Sequence, residues 1–135
     1  MALVEEREVL VIGAAVLHGG RVLAARRTTP AEVAGRWELP GGKVDEAEDW
    51  QDAVVREVRE ELSCEVRVTG LLEGEAPIRP GLRLRVATAE LVSGEPLPCE
   101  HDAVRWLGPD DLERVDWLDP DRPFLPCIRF LLEQL

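Results

Sequence analysis

Residues Gly42–Cys64 read GKVDEAEDWQDAVVREVREELSC, and the last third of that stretch crowds three glutamates together, Glu57, Glu60 and Glu61. The pattern from about Ala47 to Leu62 is helical, with acidic residues opening the first turn where the helix dipole favours them. At about 100° per residue the three glutamates share one sector of roughly 100°. Val54, Val55, Val58 and Leu62 fill the neighbouring sector, so the acids border the face a core would bury. Arg56 and Arg59 are expected to point away from both. Like charges at this spacing cost a few tenths of a kcal/mol per pair, which a plain solvated acidic face tolerates. The competing reading is chemical: carboxylates converging beside a core edge suit Mg²⁺ or Mn²⁺, hard ions that take oxygen ligands. The helix alone leaves both readings open.

On its N-terminal side, EVLVIGAAVLHGGRVLAARR reads as a hairpin, with an apolar run from Val9 to Leu17, a His18-Gly19-Gly20 turn and a return over Val22–Arg27. The first run is nearly continuous, the mark of a strand buried on both faces. TTPAEVAG is a loop, and RWELPGGKVD leads from a short strand into a Pro-Gly-Gly turn. Beyond the helix, CEVRVTGLLEGE and LRLRVATAELVSG alternate as strands do. AVRWLGPDDLERV reads as a strand and a short helix. The tail DPDRPFLPCIRFLLEQL reads as a final helix with Phe124, Ile128, Leu131 and Leu132 on one face.

Composition narrows the function. A chain of 135 residues is expected to form one domain, spanning 1–135, with a real core. No stretch is long and apolar enough to cross a membrane. The start, MALVEEREVL, is acidic where a signal peptide would be basic, so a cytoplasmic protein is expected. Cys64, Cys99 and Cys127 are odd in number and widely spaced, which argues against zinc and against a disulfide framework. A net charge of -11 argues against sequence-independent binding to a nucleic-acid backbone. A small polyanion remains compatible if metal ions and local arginines neutralise it.

The Gly42–Cys64 segment closely resembles the Nudix box: a glycine, five residues, a glutamate, seven residues, then Arg-Glu-apolar-any-Glu-Glu-any-Gly-apolar. Gly42, Glu48, Arg56, Glu57, Val58, Glu60 and Glu61 fall at the matching offsets. One position departs, because Ser63 stands where the family has glycine. A left-handed backbone there would cost serine on the order of 1 kcal/mol. The order ARR, WELPGGK, box, EHDAVRW and DPDRPFL is similar to the short MutT and CTP pyrophosphohydrolase branches over nearly the whole chain. The resemblance implies an α/β/α sandwich around a mixed sheet with a loop-helix-loop catalytic motif. It also implies a Mg²⁺-dependent enzyme that cuts a nucleoside triphosphate to the monophosphate and pyrophosphate.

The same resemblance assigns roles. Glu57, Glu60 and Glu61, with the Gly42 carbonyl, become metal ligands, and Arg56 orients them. Glu48 contacts the box arginine or an outer ion, or simply compensates the helix dipole. Glu100 supplies a further ligand or the base, against the plain alternative of a surface loop acid. Arg27 matches a phosphate-contacting arginine, with Arg26 taking the role if the register slips. Asp121 sits where the family reads the base, yet before Arg122-Pro123 it equally reads as the N-cap of the last helix. Trp37 and Leu39 are candidates for lining the base pocket, although a tryptophan beside a strand is commonly core. His18 and His101 are explained by turn and loop positions.

The expectation is a monomeric pyrophosphohydrolase of noncanonical or surplus nucleotides, led by 8-oxo-dGTP, CTP and modified dCTP. Two alternatives stand beside it: a hydrolase of ADP-ribose or a dinucleoside polyphosphate, and a Nudix-fold module that binds a nucleotide without cutting it.

Overall fold

The computed structural model describes residues 8–134. The acidic N-terminal stretch bears on residues 1–7 and so lies outside the described part. Strands β1 (Val9–His18) and β2 (Arg21–Arg26) form the expected hairpin, with Leu17 opposite Val22 and His18 opposite Arg21. Gly19 and Gly20 both adopt positive φ, 59° and 75°, the backbone that a tight two-residue hairpin turn demands.

β1 is the middle of the sheet. It runs parallel to β7 (Leu82–Ser93) from the Val9–Leu82 pair to the Leu17–Glu90 pair. Its other edge is shared: Val11–Gly13 pair with β4 (Gly41–Lys43), and Leu17 and His18 pair with β2. β3 (Trp37–Glu38) and β8 (Ala103–Leu107) attach to β2, while β5 (Glu65–Leu71) and β6 (Ala76–Arg79) attach to β7. All of these pairs are antiparallel, so the sheet is mixed.

The continuous apolar run of β1 is explained by helices on both faces. Ile12, Ala14 and Val16 face α1 (Trp50–Leu62), whose Ala53, Val54, Val58 and Leu62 are fully buried. Ala15 belongs to the opposite core, with Val22, Ala24, Val86 and Leu107. That core is closed by Trp117, Phe124 and α2 (Leu125–Glu133) through Ile128 and Leu132. Burying each such aliphatic side chain stabilises the fold by about 1.5–3 kcal/mol. The result is the expected Nudix-type α/β/α sandwich around a mixed sheet.

Several elements differ from the sequence expectation. α1 begins at Trp50 rather than Ala47, because the Glu48 amide closes a turn onto the Asp45 carbonyl at 3.0 Å. The Pro-Gly-Gly segment is more than a turn, since Gly41 and Gly42 enter β4. A Cβ at Gly41 would stand 2.0 Å from the Ile12 carbonyl oxygen, so only glycine lets this strand approach β1 so closely. β6 was not anticipated; its Pro77 lies at an irregularity of the pairing with β7, the kind of place that tolerates proline. Asp121 caps no helix. It lies within a 3-10 turn, Asp119–Phe124, that leads into α2, and its side chain is buried.

Cys64 is buried, Cys99 and Cys127 are exposed, and all three are free thiols. Among the described residues no helix is long and apolar enough to cross a membrane.

Candidate active site

Helix α1 carries its apolar residues into the core, which fixes the rotation of the helix and holds Glu57 and Glu61 at its edge. Arg56 does not point away from the acids as its helical angle implied. Its long side chain swings back over them. Nε and Nη2 donate to the two carboxylate oxygens of Glu48, both at 2.8 Å. Nη1 donates to Glu57 at 2.9 Å and to Glu60 at 3.3 Å, and Nη2 also reaches the Lys43 carbonyl at 3.2 Å. The Arg56 hydrogen bond holds the Glu48 carboxyl below its ordinary range. One guanidinium thus ties the loop before the helix to the helix itself.

Glu61 is nearly buried, and the Gly41 amide donates to its Oε2 at 3.0 Å. Burial pushes its carboxyl up to about 8; the Gly41 bond opposes the rise, while Glu38, Glu57 and Glu100 add to it. Burial also raises the Glu57 carboxyl, with Arg56 opposing and Glu60 and Glu100 reinforcing. Glu57, Glu61 and Glu100 therefore lie within electrostatic reach of one another. Glu60 stands further out, half exposed, on Arg56.

Gly42 is placed against this cluster. A Cβ there would fall 2.4 Å from the Glu57 carboxyl carbon. The donor set, all hard oxygen with half-buried carboxylates that repel each other, fits a divalent cation of the Mg²⁺ class. As the side chains now stand, no three His, Cys, Asp or Glu among the described residues are arranged to hold an ion. All three glutamates are otherwise engaged, Glu57 and Glu60 by Arg56 and Glu61 by the Gly41 amide.

Two cavities open beside the cluster. A polar one of about 110 Å³ is lined by Arg27, Glu38, Glu61, Glu100 and His101, with Thr28 and Thr29. A larger one of about 340 Å³ has mostly apolar walls, among them Leu39, Ile78 and Leu84, with Lys43 and Asp121 supplying polar groups. Arg27 and Glu38 line both. Asp121, 5% exposed, accepts the Leu39 amide at 3.2 Å. Burial first, and then Glu38, pushes its carboxyl up to about 8.

The structure brings Arg27, Leu39, Gly42, Asp121, Glu61 and Glu100 around these two cavities, with Glu57 behind Gly42 and lining neither. Arg26 instead pairs at the surface with Asp102 at 2.7 Å. Trp37 is a correction. It lines neither cavity and is buried in the core, with the guanidinium carbons of Arg26 and Arg105 at 5.7 and 5.9 Å from its ring. Alternation along β3 sends Trp37 inward and leaves its neighbour Glu38 facing the cavities. Glu38, Lys43 and His101 were missed. Alternation at Trp37 was the available signal for Glu38; His101 looked like a loop residue but is buried, with Nε2 2.9 Å from Glu38 Oε2.

A mixed sheet lies between two helices, one of which carries the glycine-backed acidic cluster at its edge. The NUDIX domain family profile matches residues 7–127, and the chain belongs to that family and is a Nudix hydrolase. It is 38% identical over 119 residues to a Mycobacterium tuberculosis protein named "Putative 8-oxo-dGTP diphosphatase 2", covering 86% of this chain and 84% of that one. It is 31% identical to the CTP pyrophosphohydrolase of Escherichia coli, covering 90% and 91%. The crystal structure of a MutT NUDIX hydrolase from Burkholderia pseudomallei superposes with a TM-score of 0.78 at 35% identity, covering 90% of this chain and 98% of that one.

Proposed function

We propose that the chain, acting as one cytoplasmic hydrolase domain, converts a nucleoside triphosphate with a cytosine or 8-oxo-guanine base to the monophosphate and pyrophosphate. The observation that carries this reading is the pair of adjoining cavities, one lined by Glu61 and Glu100 and the other by Gly42 and Asp121, with Arg27 in the wall of both. Glu57, Glu60, Glu61 and the Gly42 carbonyl would hold Mg²⁺ or Mn²⁺, with Glu100 as a further ligand or as the base. When bound, such an ion neutralises the polyphosphate and acidifies a water.

The protein's own groups do the rest. Arg56 fixes the acids in place, and Arg27 binds phosphate from the junction of the two cavities. Asp121, with its carboxyl at about 8, is largely protonated at neutral pH. It can donate to a base carbonyl or accept from an exocyclic amino group. The relatives' names support these two bases, and the largely apolar cavity walls suit a base rather than a second phosphate.

The test is Mg²⁺-dependent pyrophosphate release from CTP and 8-oxo-dGTP by the protein and by Glu57→Gln and Glu61→Gln. Loss of about 10²-fold or more in kcat in both variants is expected. Full activity in either variant removes that residue from the mechanism.

A further inference from the structure

Arg27 is held from two sides. Its Nε donates to the Thr29 carbonyl at 2.8 Å, and its Nη1 contacts both Glu38 oxygens at 3.2 and 3.1 Å. Nη2 has no hydrogen bond among the described residues. The same Glu38 carboxyl lies 2.9 Å from His101 Nε2, within hydrogen-bond distance, so Arg27, Glu38 and His101 form one chain of contacts. The His101 and Glu38 side chains are 5% and 16% exposed. His101 follows Glu100 directly and sits in a loop stitched to the catalytic helix. The Leu97 and Cys99 amides donate to the Leu62 and Glu61 carbonyls at 2.8 and 3.0 Å. The Asp102 amide reaches the Arg26 carbonyl at 3.2 Å.

The buried Nδ1 of His101 has no partner among the described residues. We infer that His101 is a positioning residue, acting through Glu38 to aim Arg27 at the polyphosphate. The inference rests on the triphosphate reading for its substrate but not for its geometry.

A glutamine at 101 carries its amide nitrogen about where Nε2 lies, whereas asparagine reaches only the Nδ1 position. His101→Gln should therefore stay within about threefold of the parent kcat/KM, and His101→Asn and His101→Ala should fall about 10- to 100-fold. In an Arg27→Ala background the loss from His101→Asn should shrink to less than about threefold, because the two act as one unit. Undiminished loss in that background, or equal behaviour of the Gln and Asn variants, overturns the inference.

A second readout needs no turnover. The Arg27 Nη1–H resonance in ¹⁵N NMR, which reports the bond to Glu38, should be sharp in the protein and in His101→Gln, and exchange-broadened in His101→Asn. Inorganic tripolyphosphate should shift it only in the first two. If the parent hydrolyses no triphosphate, the substrate reading falls alone, and an Arg27 resonance indifferent to residue 101 is what refutes the positioning role.

Discussion

Gly42 has no room for a methyl group, because the Glu57 carboxylate occupies the space where Cβ would be. Gly42→Ala should push Glu57 off its position. The expected result is a loss of Mg²⁺ affinity and of kcat/KM by about tenfold or more, with the far-UV spectrum unchanged. A fully active Gly42→Ala protein would contradict the placement of the acids. Asp121 gives a pH prediction. Its folded carboxyl sits at about 8 against an ordinary value of 3.8, so the unfolded chain loses this proton first as pH rises. Its contribution is complete below about pH 4 and is lost between there and about pH 8, an effect on the order of a few kcal/mol. Asp121→Asn should flatten the fall in Tm over that window, and an unchanged slope would show that Asp121 ionises freely. The acids of the box were legible in the sequence because their spacing is rigid on a helix. His101 was not, since nothing in the order of residues shows that a loop histidine turns inward onto β3.

Helix α1 was recognisable as an element from its apolar sector and its acids together, and its end was foreseen as the costly point. Ser63 does adopt the left-handed conformation, φ 54° and ψ 34°. Its hydroxyl lies 3.1 Å from Cys99 Sγ, and its amide donates to the Arg59 carbonyl. Ser63→Gly should relieve about 1 kcal/mol of backbone cost and raise Tm by roughly 3–5 °C. A drop in Tm would mean that the contact with Cys99 outweighs the strain. β6 escaped the sequence reading because Pro77 breaks its pattern and its pairing exists only through β7. Trp37 was assigned to the pocket by its neighbourhood. Two-residue alternation in β3 sends it to the core and Glu38 to the site, a distinction that appears once the short strand is placed against β2.

Across the molecule the net charge is -11, and at one edge of the sandwich Glu60 and Glu100 add to the rise of the Glu57 carboxyl while Glu38, Glu57 and Glu100 add to that of Glu61. Adding Mg²⁺ should stabilise the folded protein by mass action, about 2.7 kcal/mol at a hundredfold excess over Kd. The gain should be absent in a Glu57→Gln/Glu61→Gln double variant. Equal stabilisation of both proteins would place the ion elsewhere. The sandwich was implied by the resemblance to the family; the doubly buried first strand and the two amphipathic helices were compatible with it but did not by themselves imply it. The sharing of one edge of β1 between β2 and β4, which brings Gly41 and Gly42 against α1, had no counterpart in any linear pattern.

The most direct test of the account is product analysis with Mg²⁺ over a panel of CTP, dCTP, 5-methyl-dCTP, 8-oxo-dGTP, the ordinary nucleoside triphosphates, ADP-ribose and a dinucleoside polyphosphate. The account predicts monophosphate and pyrophosphate in equal amounts, fastest from a cytosine or 8-oxo-guanine triphosphate. Cleavage of ADP-ribose with every triphosphate left intact would contradict it.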